Sequence, residues 1–254
     1  MPALVEQIET PQVPTNPRAC FAHTTGTDNI IVPAVMTVDF TTMIDVGYCF
    51  YNDYNLTSLT LPEGFGQNAK YVNHCFYYCC MLKSIPIPEG FGQNAESVQS
   101  CFANCRALTS LTLPEGFGQV ATNCGNCFNN CSSLTSLTLP EGFGKKATGL
   151  GNCFSYCSSL TSLTLPEGFG QVATSLGYCF GQCPELTDIV GNPNFKVSVD
   201  FSFSTKLTHD SLMVIINGLQ TVATTQTLTL GSTNLAKLTD AEKQIATDKG
   251  WTLA

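Results

Sequence analysis

The chain has 254 residues, of which 12% are charged, and its formal net charge at pH 7 is −8. An acidic chain with 11 lysines and arginines lacks the basic stripe that phosphate backbones require, so nucleic acid is not an expected partner. No stretch of about 18 apolar residues is present, which argues against a transmembrane segment.

Residues 1–19 contain four prolines and few periodic apolar residues, so they are predicted to form an extended arm or linker. The first six residues have neither a basic region nor an apolar core, and therefore do not resemble a secretory signal. The arm offers one route to a homo-oligomer or to assembly into a particle.

Residues 20–48 are predicted to be a degenerate capping repeat. Cys20-Phe21 is followed by Ile30-Ile31-Val32-Pro33, as Cys49-Phe50 is followed by Leu59-Thr60-Leu61-Pro62. The next Cys-Phe pair arrives three residues late, which indicates an insertion. Terminal repeats of solenoids are commonly atypical in this way.

Residues 49–190 repeat with a period of 26 residues. The motif Pro-Glu-Gly-Phe-Gly begins at Pro62, Pro88, Pro114, Pro140 and Pro166, and Cys-Phe begins at Cys49, Cys75, Cys101, Cys127, Cys153 and Cys179. A fixed period of this length predicts a solenoid, in which each coil buries its apolar side against its neighbours.

Within one coil, Leu59 and Leu61 alternate with polar residues, which predicts a strand with one buried face. Ala69, Val72 and Phe76 follow at spacings of three and four residues, which predicts a helical or 3₁₀ arc on the opposite side. One such coil buries too little apolar surface to fold alone, whereas a stack of six can.

Residues 191–254 depart from the repeat and predict capping repeats in the order strand, helix, strand, helix, strand. Phe201 and Phe203 alternate with serines as in a strand, and Thr208 is a suitable cap for a helix through about Leu219. Thr227-Leu228-Thr229-Leu230-Gly231 predicts a second strand. Thr239-Asp240-Ala241-Glu242 is a capping box for a second helix, and Trp251-Thr252-Leu253 a last strand.

The unit Cys-Phe-x-x-Cys-x-x-Leu-x-x-Leu-x-Leu-Pro, clear from Cys127 to Pro140, closely resembles BspA-like leucine-rich repeats. The resemblance implies an α/β solenoid with a parallel sheet on the concave side, short helical or 3₁₀ arcs opposite, and two helix-containing coils at the C-terminus. It also implies adhesion or recognition, as in bacterial surface and phage-associated proteins, and brings neither catalytic residues nor a named ligand.

The fourteen cysteines are predicted to be mainly buried free thiols. Cys124 stands where other units have Val72, Val98, Leu150 or Leu176, so cysteine serves there as a small hydrophobe. Disulfides between stacked coils are an alternative, and a metal site fits the Cys-x₃-Cys spacing poorly. The predicted structural thiols are Cys49, Cys75, Cys79, Cys101, Cys105, Cys127, Cys131, Cys153, Cys157, Cys179 and Cys183.

Two ladders of polar residues admit both a structural and a functional interpretation. Glutamates at 63, 89, 115, 141 and 167 could hold a cation or a basic partner, but a solvated row inherited by duplication explains them better. The serines and threonines of the strand face suit a strand, and could also form a hydrogen-bonding platform.

The tyrosines indicate where a partner binds. Six of the eight lie in two successive units: Tyr48, Tyr51, Tyr54, Tyr71, Tyr77 and Tyr78. Later units carry mostly small or polar residues at the positions of Tyr77 and Tyr78, although their core positions barely change. Exposed tyrosines concentrate in binding surfaces, so we predict a contact patch here. The alternative is a surface covered by the N-terminal arm or by another copy of the chain.

No enzymatic constellation is evident, because His23, His74 and His209 share no spacing with a nucleophile. The sequence predicts a non-enzymatic recognition or adhesion protein without cofactor or metal, which binds a protein or glycan at a cell surface or outside the cell. The alternative is a structural or receptor-binding component of a phage virion, in the tail, baseplate or decoration. The absent signal and the many thiols favour that alternative.

Overall fold

The computed structural model describes residues 29–31 and 42–254. The predicted arm at 1–19 lies outside the described residues, as does most of the predicted cap at 20–48. The elements are β1 Asn29–Ile31, β2 Ser58–Thr60, β3 Ser136–Thr138, β4 Ser162–Leu165, β5 Asp188–Gly191, β6 Val199–Asp200, α1 His209–Asn217, β7 Gln226–Thr229, α2 Gly231–Leu235, α3 Asp240–Asp248 and β8 Trp251–Leu253.

Every paired strand is parallel to its neighbour, and each pair joins successive coils. Ser136 of β3 pairs with Ser162 of β4, one repeat later, and β4 pairs in turn with β5. At the N-terminal end, Ile30 of β1 pairs with Leu59 of β2, the register expected when the first unit is three residues longer. Strands β6, β7 and β8 form a third parallel sheet at the C-terminal end.

The sheet is interrupted between β2 and β3. Within the described residues, no backbone hydrogen bond joins residues 84–87 or 110–113 to the coil on either side. Pro86 stands where β2, β3 and β4 carry Thr60, Thr138 and Thr164, and proline has no N–H to donate. A groove of about 430 Å³ lies between the two segments, with Ile85 and Leu113 among the residues that line it.

The arcs opposite the strands are built of turns, so the prediction of helical or 3₁₀ arcs is wrong for residues 49–190. The N–H groups of Tyr48, Phe50 and Asn52 donate to carbonyls of the next coil, and the intervening N–H groups close turns within their own coil. Both kinds of bond recur along the stack. The spacing of three and four therefore comes from successive turns and not from a helix.

The core consists of two columns of stacked phenylalanines enclosed by leucines and cysteines. Phe102 and Phe128 are parallel, with ring centroids 5.7 Å apart, and Phe117 and Phe143 stack at 6.0 Å in the other column. These rings are fully buried. Because each ring packs against the equivalent ring one coil away, burial of one coil requires its neighbour.

The C-terminal coils contain the helices. Helix α1 is capped by Thr208, whose hydroxyl accepts a hydrogen bond from the Ser211 amide, and it ends at Asn217. Helix α3 begins with a capping box formed by Thr239 and Glu242. Strand β6 ends at Asp200, before the strand predicted from Phe201 and Phe203. Phe201 instead stacks on Phe180 at 4.4 Å, which closes the phenylalanine column.

Candidate recognition surface on the arc

Five aromatic side chains pack together on the arc of two successive coils. We call Tyr48, Tyr51, His74, Tyr77 and Tyr78 the aromatic arc. Tyr48 stacks on His74 with centroids 4.6 Å apart, and Tyr51 stacks on Tyr77 at 5.1 Å. The Tyr78 ring packs at a tilt against the Tyr77 ring, with centroids 5.4 Å apart. Four of the six predicted tyrosines are thus brought together, along with a histidine that sequence analysis did not assign to the patch.

The other two predicted tyrosines stand apart from this cluster. Tyr54 follows the aromatic arc in its coil, Tyr71 precedes it in the next, and they are 46% and 42% exposed. Ile44 and Met81, also exposed, add apolar surface beside them. The tyrosine-bearing surface therefore has a packed, half-buried centre and two exposed flanks.

The backbone of the arc has the same left-handed positions in successive coils. In each of six coils, the residue before the first cysteine and the third residue after it have positive φ: Tyr48, Asn52, His74, Tyr78, Ser100, Asn104, Asn126, Asn130, Asn152, Tyr156, Tyr178 and Gln182. Asparagine adopts this left-handed region more easily than other residues with a side chain. The recurrence of Asn at both positions was the signal that could have predicted these turns.

Two tyrosines of the aromatic arc occupy these left-handed positions, as Tyr156 and Tyr178 do near the other end of the stack. Tyr48 has φ 61° and Tyr78 has φ 65°, where the equivalent residues of a later coil are Asn126 and Asn130. A bulky residue held in this region costs more than asparagine does. Local backbone preference therefore does not explain these tyrosines.

Arg106, from the next coil, covers one face of the aromatic arc. Its guanidinium carbon lies 5.4 Å from the centroid of the Tyr78 ring, within the range of a cation–π contact. Its Nη2 group donates to the hydroxyl of Tyr78 at 3.3 Å and to Oδ1 of Asn104 at 3.4 Å. No repeat pattern marks this arginine, since later coils carry Ser132 and Ser158 at its position.

The two predicted cysteine columns lie inside the stack, and all eleven of their thiols are buried. Burial raises the pKa of Cys75 to about 11 and that of Cys183 to about 12, and it also raises the pKa of Cys124 to about 12. No disulfide joins the cysteines of the described residues. Cys80, outside the two columns, is half-buried beside the aromatic arc.

The remaining candidate chemistry is dispersed. The five glutamates of the predicted ladder are exposed. His74 belongs to the aromatic arc, and Nε2 of His209 lies 2.9 Å from Oε1 of Glu242 at the C-terminal end, whereas His23 lies outside the described residues. Among residues 42–254, no group of three or more His, Cys, Asp or Glu is placed to hold a metal ion.

The repeated coil and its sequence motif define a class, the leucine-rich repeat solenoids. Within that class, the sequence model of the BspA type leucine-rich repeat region matches residues 6–124, 46–150, 73–208 and 126–244. The chain therefore belongs to the BspA-type leucine-rich repeat family, which confirms the resemblance. Membership indicates a role in binding at a surface without identifying a partner.

One solved structure supports this fold, and two others match less closely. A leucine-rich repeat protein of T. pallidum, TpLRR, is 20% identical over 75% of this chain and 83% of its own, with a TM-score of 0.55. A leucine-rich repeat protein from Bacteroides ovatus is 18% identical over 69% of this chain and 52% of its own, with a TM-score of 0.40. A search of curated proteins finds no match.

A leucine-rich cell surface protein from Faecalibacterium prausnitzii is 17% identical over 76% of this chain and 65% of its own, with a TM-score of 0.30. None of these comparisons bears on the virion role, which stays a prediction, as does the side of the solenoid that is concave.

In the described part of the chain, the helices are too short and too polar to cross a bilayer.

Proposed function

We propose that the chain is a non-enzymatic recognition protein that acts at a cell surface or outside the cell and binds its partner through the aromatic arc. The observation that carries this proposal is the packing of Tyr48 and Tyr78, at left-handed positions where five of the twelve residues are asparagine, into one cluster with Tyr51, His74 and Tyr77. Residues held in an unfavourable backbone region cluster at functional sites, because the surrounding structure supports them for a purpose other than folding.

The composition and packing of the surface support a contact role. Tyrosine offers a large, amphipathic contact area with few rotatable bonds, so little side-chain entropy is lost on binding. Stacking of Tyr51 on Tyr77 and of Tyr48 on His74 orients the rings before a partner arrives. Such pre-organisation lowers the entropic cost of association. The exposed Tyr54 and Tyr71 extend the surface on both sides.

The repeat itself supplies matched substitutions for a test. Tyr48→Asn, Tyr51→Asn, Tyr77→Asn and Tyr78→Asn introduce the residues that one later coil carries as Asn126, Asn129 and Asn130. The control variant is Tyr156→Asn with Tyr178→Asn, which removes two exposed tyrosines at equivalent left-handed positions near the other end of the stack.

Both variants and the parent chain are applied to a glycan array and to a library of displayed extracellular proteins. We expect the parent and the control to share their strongest ligands, and the quadruple variant to lose at least 90% of that signal while its circular dichroism is unchanged, as for a tyrosine hot spot. Equal binding by the quadruple variant would refute the proposal. Loss of binding by the control alone would also refute it, because the surface would then lie at the other end.

A further inference from the structure

The guanidinium of Arg106 is held in place by Tyr78 and Asn104 through only one of its three nitrogens. The Tyr78 ring lies against its guanidinium, and the hydroxyl of Tyr78 and the amide of Asn104 both accept from Nη2. Its Nη1 and Nε groups make no hydrogen bond within the described residues, and the side chain is exposed. A guanidinium presents five N–H donors in a planar fork, so an edge suited to an anion stays open.

No carboxylate of the described residues neutralises Arg106. Lys70 and Lys206 each form an ion pair, with Glu96 and Glu185 respectively, but Arg106 forms none there. The arc segments 48–54, 74–81, 100–107 and 126–133 contain a single acidic residue, Asp53, which is buried. In a chain with a net charge of −8, these four described segments therefore carry no exposed negative charge.

We propose that the aromatic arc and Arg106 together bind a protein segment that presents a carboxylate, an inference that rests on the proposed function and gives its partner a chemical class. The carboxylate pairs with the open edge of the Arg106 guanidinium. Apolar atoms of the same segment pack on the ring edges of Tyr77 and Tyr78. Tyrosine and arginine are the residue types that most often dominate the energy of protein interfaces.

The stacking favours a protein over a sugar. A pyranose ring binds an aromatic side chain through an open ring face, and stacking leaves each ring of the aromatic arc at most one such face. Tyr48 and His74 cover one another, as do Tyr51 and Tyr77, and Arg106 lies over Tyr78. The ring edges of Tyr77 and Tyr78 suit backbone carbonyls and apolar side chains.

The test uses a phage-displayed library of random dodecapeptides selected on the full chain. The informative variant is Arg106→Ser, which introduces the residue found at the equivalent positions Ser132 and Ser158. The matched charge-removal control is Lys145→Gln, since four other coils carry glutamine there: Gln67, Gln93, Gln119 and Gln171. Arg106→Lys keeps the charge and removes the planar fork.

We expect the selected peptides to share an aspartate or glutamate beside apolar residues. Arg106→Ser should weaken their binding about tenfold or more, in keeping with a lost charge-assisted hydrogen-bonded pair, and Arg106→Lys should restore it only in part. Lys145→Gln should leave binding unchanged. Replacing the acidic residue of the peptide by its amide should weaken binding to the parent chain but not to Arg106→Ser, since the two changes remove one interaction.

Selected peptides without acidic residues, or binding unaffected by Arg106→Ser, would overturn the inference. If the quadruple tyrosine variant still lost binding in that case, the proposed function would stand without it. If neither variant lost binding, both proposals would fail. Binding confined to sulfated or sialylated glycans on a glycan array, or to a second copy of the chain by sedimentation, would also overturn the inference by assigning a different class of partner.

Discussion

The thiol of Cys105 donates a hydrogen bond to the backbone carbonyl oxygen of Phe76, 29 residues earlier in the chain, with Sγ and O 3.2 Å apart. The same bond recurs along the stack, from Cys79 to Phe50, Cys131 to Phe102, Cys157 to Phe128 and Cys183 to Phe154, at 3.1–3.2 Å. The second cysteine column therefore links each coil to the one before it through the weak donor of a thiol.

These thiols should react with alkylating agents only after unfolding. In native protein at pH 8, we expect iodoacetamide to modify the half-buried Cys80 and to leave the two columns unmodified, in a Cys20→Ser background that removes the one cysteine outside the described residues. The thiolate is the reactive form, and burial raises the pKa of Cys75 to about 11. A rise from pH 8 to pH 9.5 should therefore leave Cys75 unmodified.

Mass spectrometry of the alkylated protein checks this prediction in two steps. Denaturation without reductant should make all remaining thiols reactive, because no disulfide joins the described cysteines. Cys80→Ser, which introduces the residue of the equivalent position Ser132, should abolish the native reaction. Fewer than about ten modified thiols in the denatured, unreduced protein would indicate disulfides and contradict the prediction.

Gly118→Ala should destabilise the stack strongly. A Cβ at this position would lie 2.8 Å from Cδ2 of Phe143 in the next coil, and φ at Gly118 is +68°. We expect the free energy of unfolding to fall by about 2–4 kcal/mol, combining overpacking with the cost of a left-handed backbone. Urea denaturation followed by tryptophan and circular dichroism signals measures this difference.

The control for that substitution is Gly151→Ala. Its Cβ would lie 3.5 Å from the carbonyl oxygen of Gly177, an ordinary contact, and its φ is not in the left-handed region. We expect its stability to be unchanged or raised by about 0.4–1 kcal/mol, because alanine reduces the entropy of the unfolded chain. Similar destabilisation of the two variants would show that the contact with Phe143 is unimportant.

The coil was predictable from sequence because its strand obeys a simple alternation. Leu59 and Leu61 are buried where the period of two predicts, and the repeat transfers that pattern to other coils. The arc was not predictable by the same method, since turns linked by left-handed residues produce the apolar spacing of a helix. Asparagines such as Asn126 and Asn130, which favour the left-handed backbone region, were the sequence signal that distinguishes these turns from a helix.

The surface was predictable only in part. The tyrosines could be counted, so four members of the aromatic arc were found. Arg106 could not be predicted as part of this surface. It is a single charged residue in its repeat column, and its contact with Tyr78 depends on the stacking of two coils. The break in the sheet could be predicted from the sequence, because Pro86 lacks the N–H that threonine supplies at the same position of other coils. The loss of pairing in the next coil depends on tertiary packing.

Tyr156→Asn should raise the stability of the protein. Tyr156 has φ 62° and is 56% exposed, so asparagine relieves backbone strain of about 1 kcal/mol and removes little packing. Tyr48→Asn relieves similar strain but loses the stack on His74, which contributes about 0.5–1.5 kcal/mol. We therefore expect a gain for Tyr156→Asn and a net change near zero for Tyr48→Asn.

Thermal and urea unfolding of the two tyrosine variants measures this difference. Tyr78→Asn serves as a third case, because it loses the Arg106 contact, an interaction of about 0.5–1 kcal/mol at an exposed site. It should resemble Tyr48→Asn. Destabilisation by Tyr156→Asn would show that the left-handed positions accept tyrosine without strain, and would remove the main support for the proposed surface.

Pro86→Thr should restore pairing between residues 84–87 and the coil of β2. Threonine is the residue of the equivalent positions 60, 112, 138 and 164, and it restores an N–H that can join the ladder. Each new hydrogen bond contributes about 0.5–1.5 kcal/mol, but loss of proline raises the entropy of the unfolded chain by a comparable amount. Hydrogen exchange therefore reports the change better than global stability does.

We expect the amides of residues 84, 85, 87 and 110–113 to exchange rapidly in the parent chain, and those of residues 84–87 to gain protection in Pro86→Thr. The equivalent substitution in β4, Thr164→Pro, removes an N–H that faces β3, so it should remove protection between β3 and β4 and open a second interruption there. If Pro86→Thr left hydrogen exchange at residues 84–87 unchanged, the break would have to arise from the packing of the surrounding coils. The absence of an N–H at position 86 would then not be its cause.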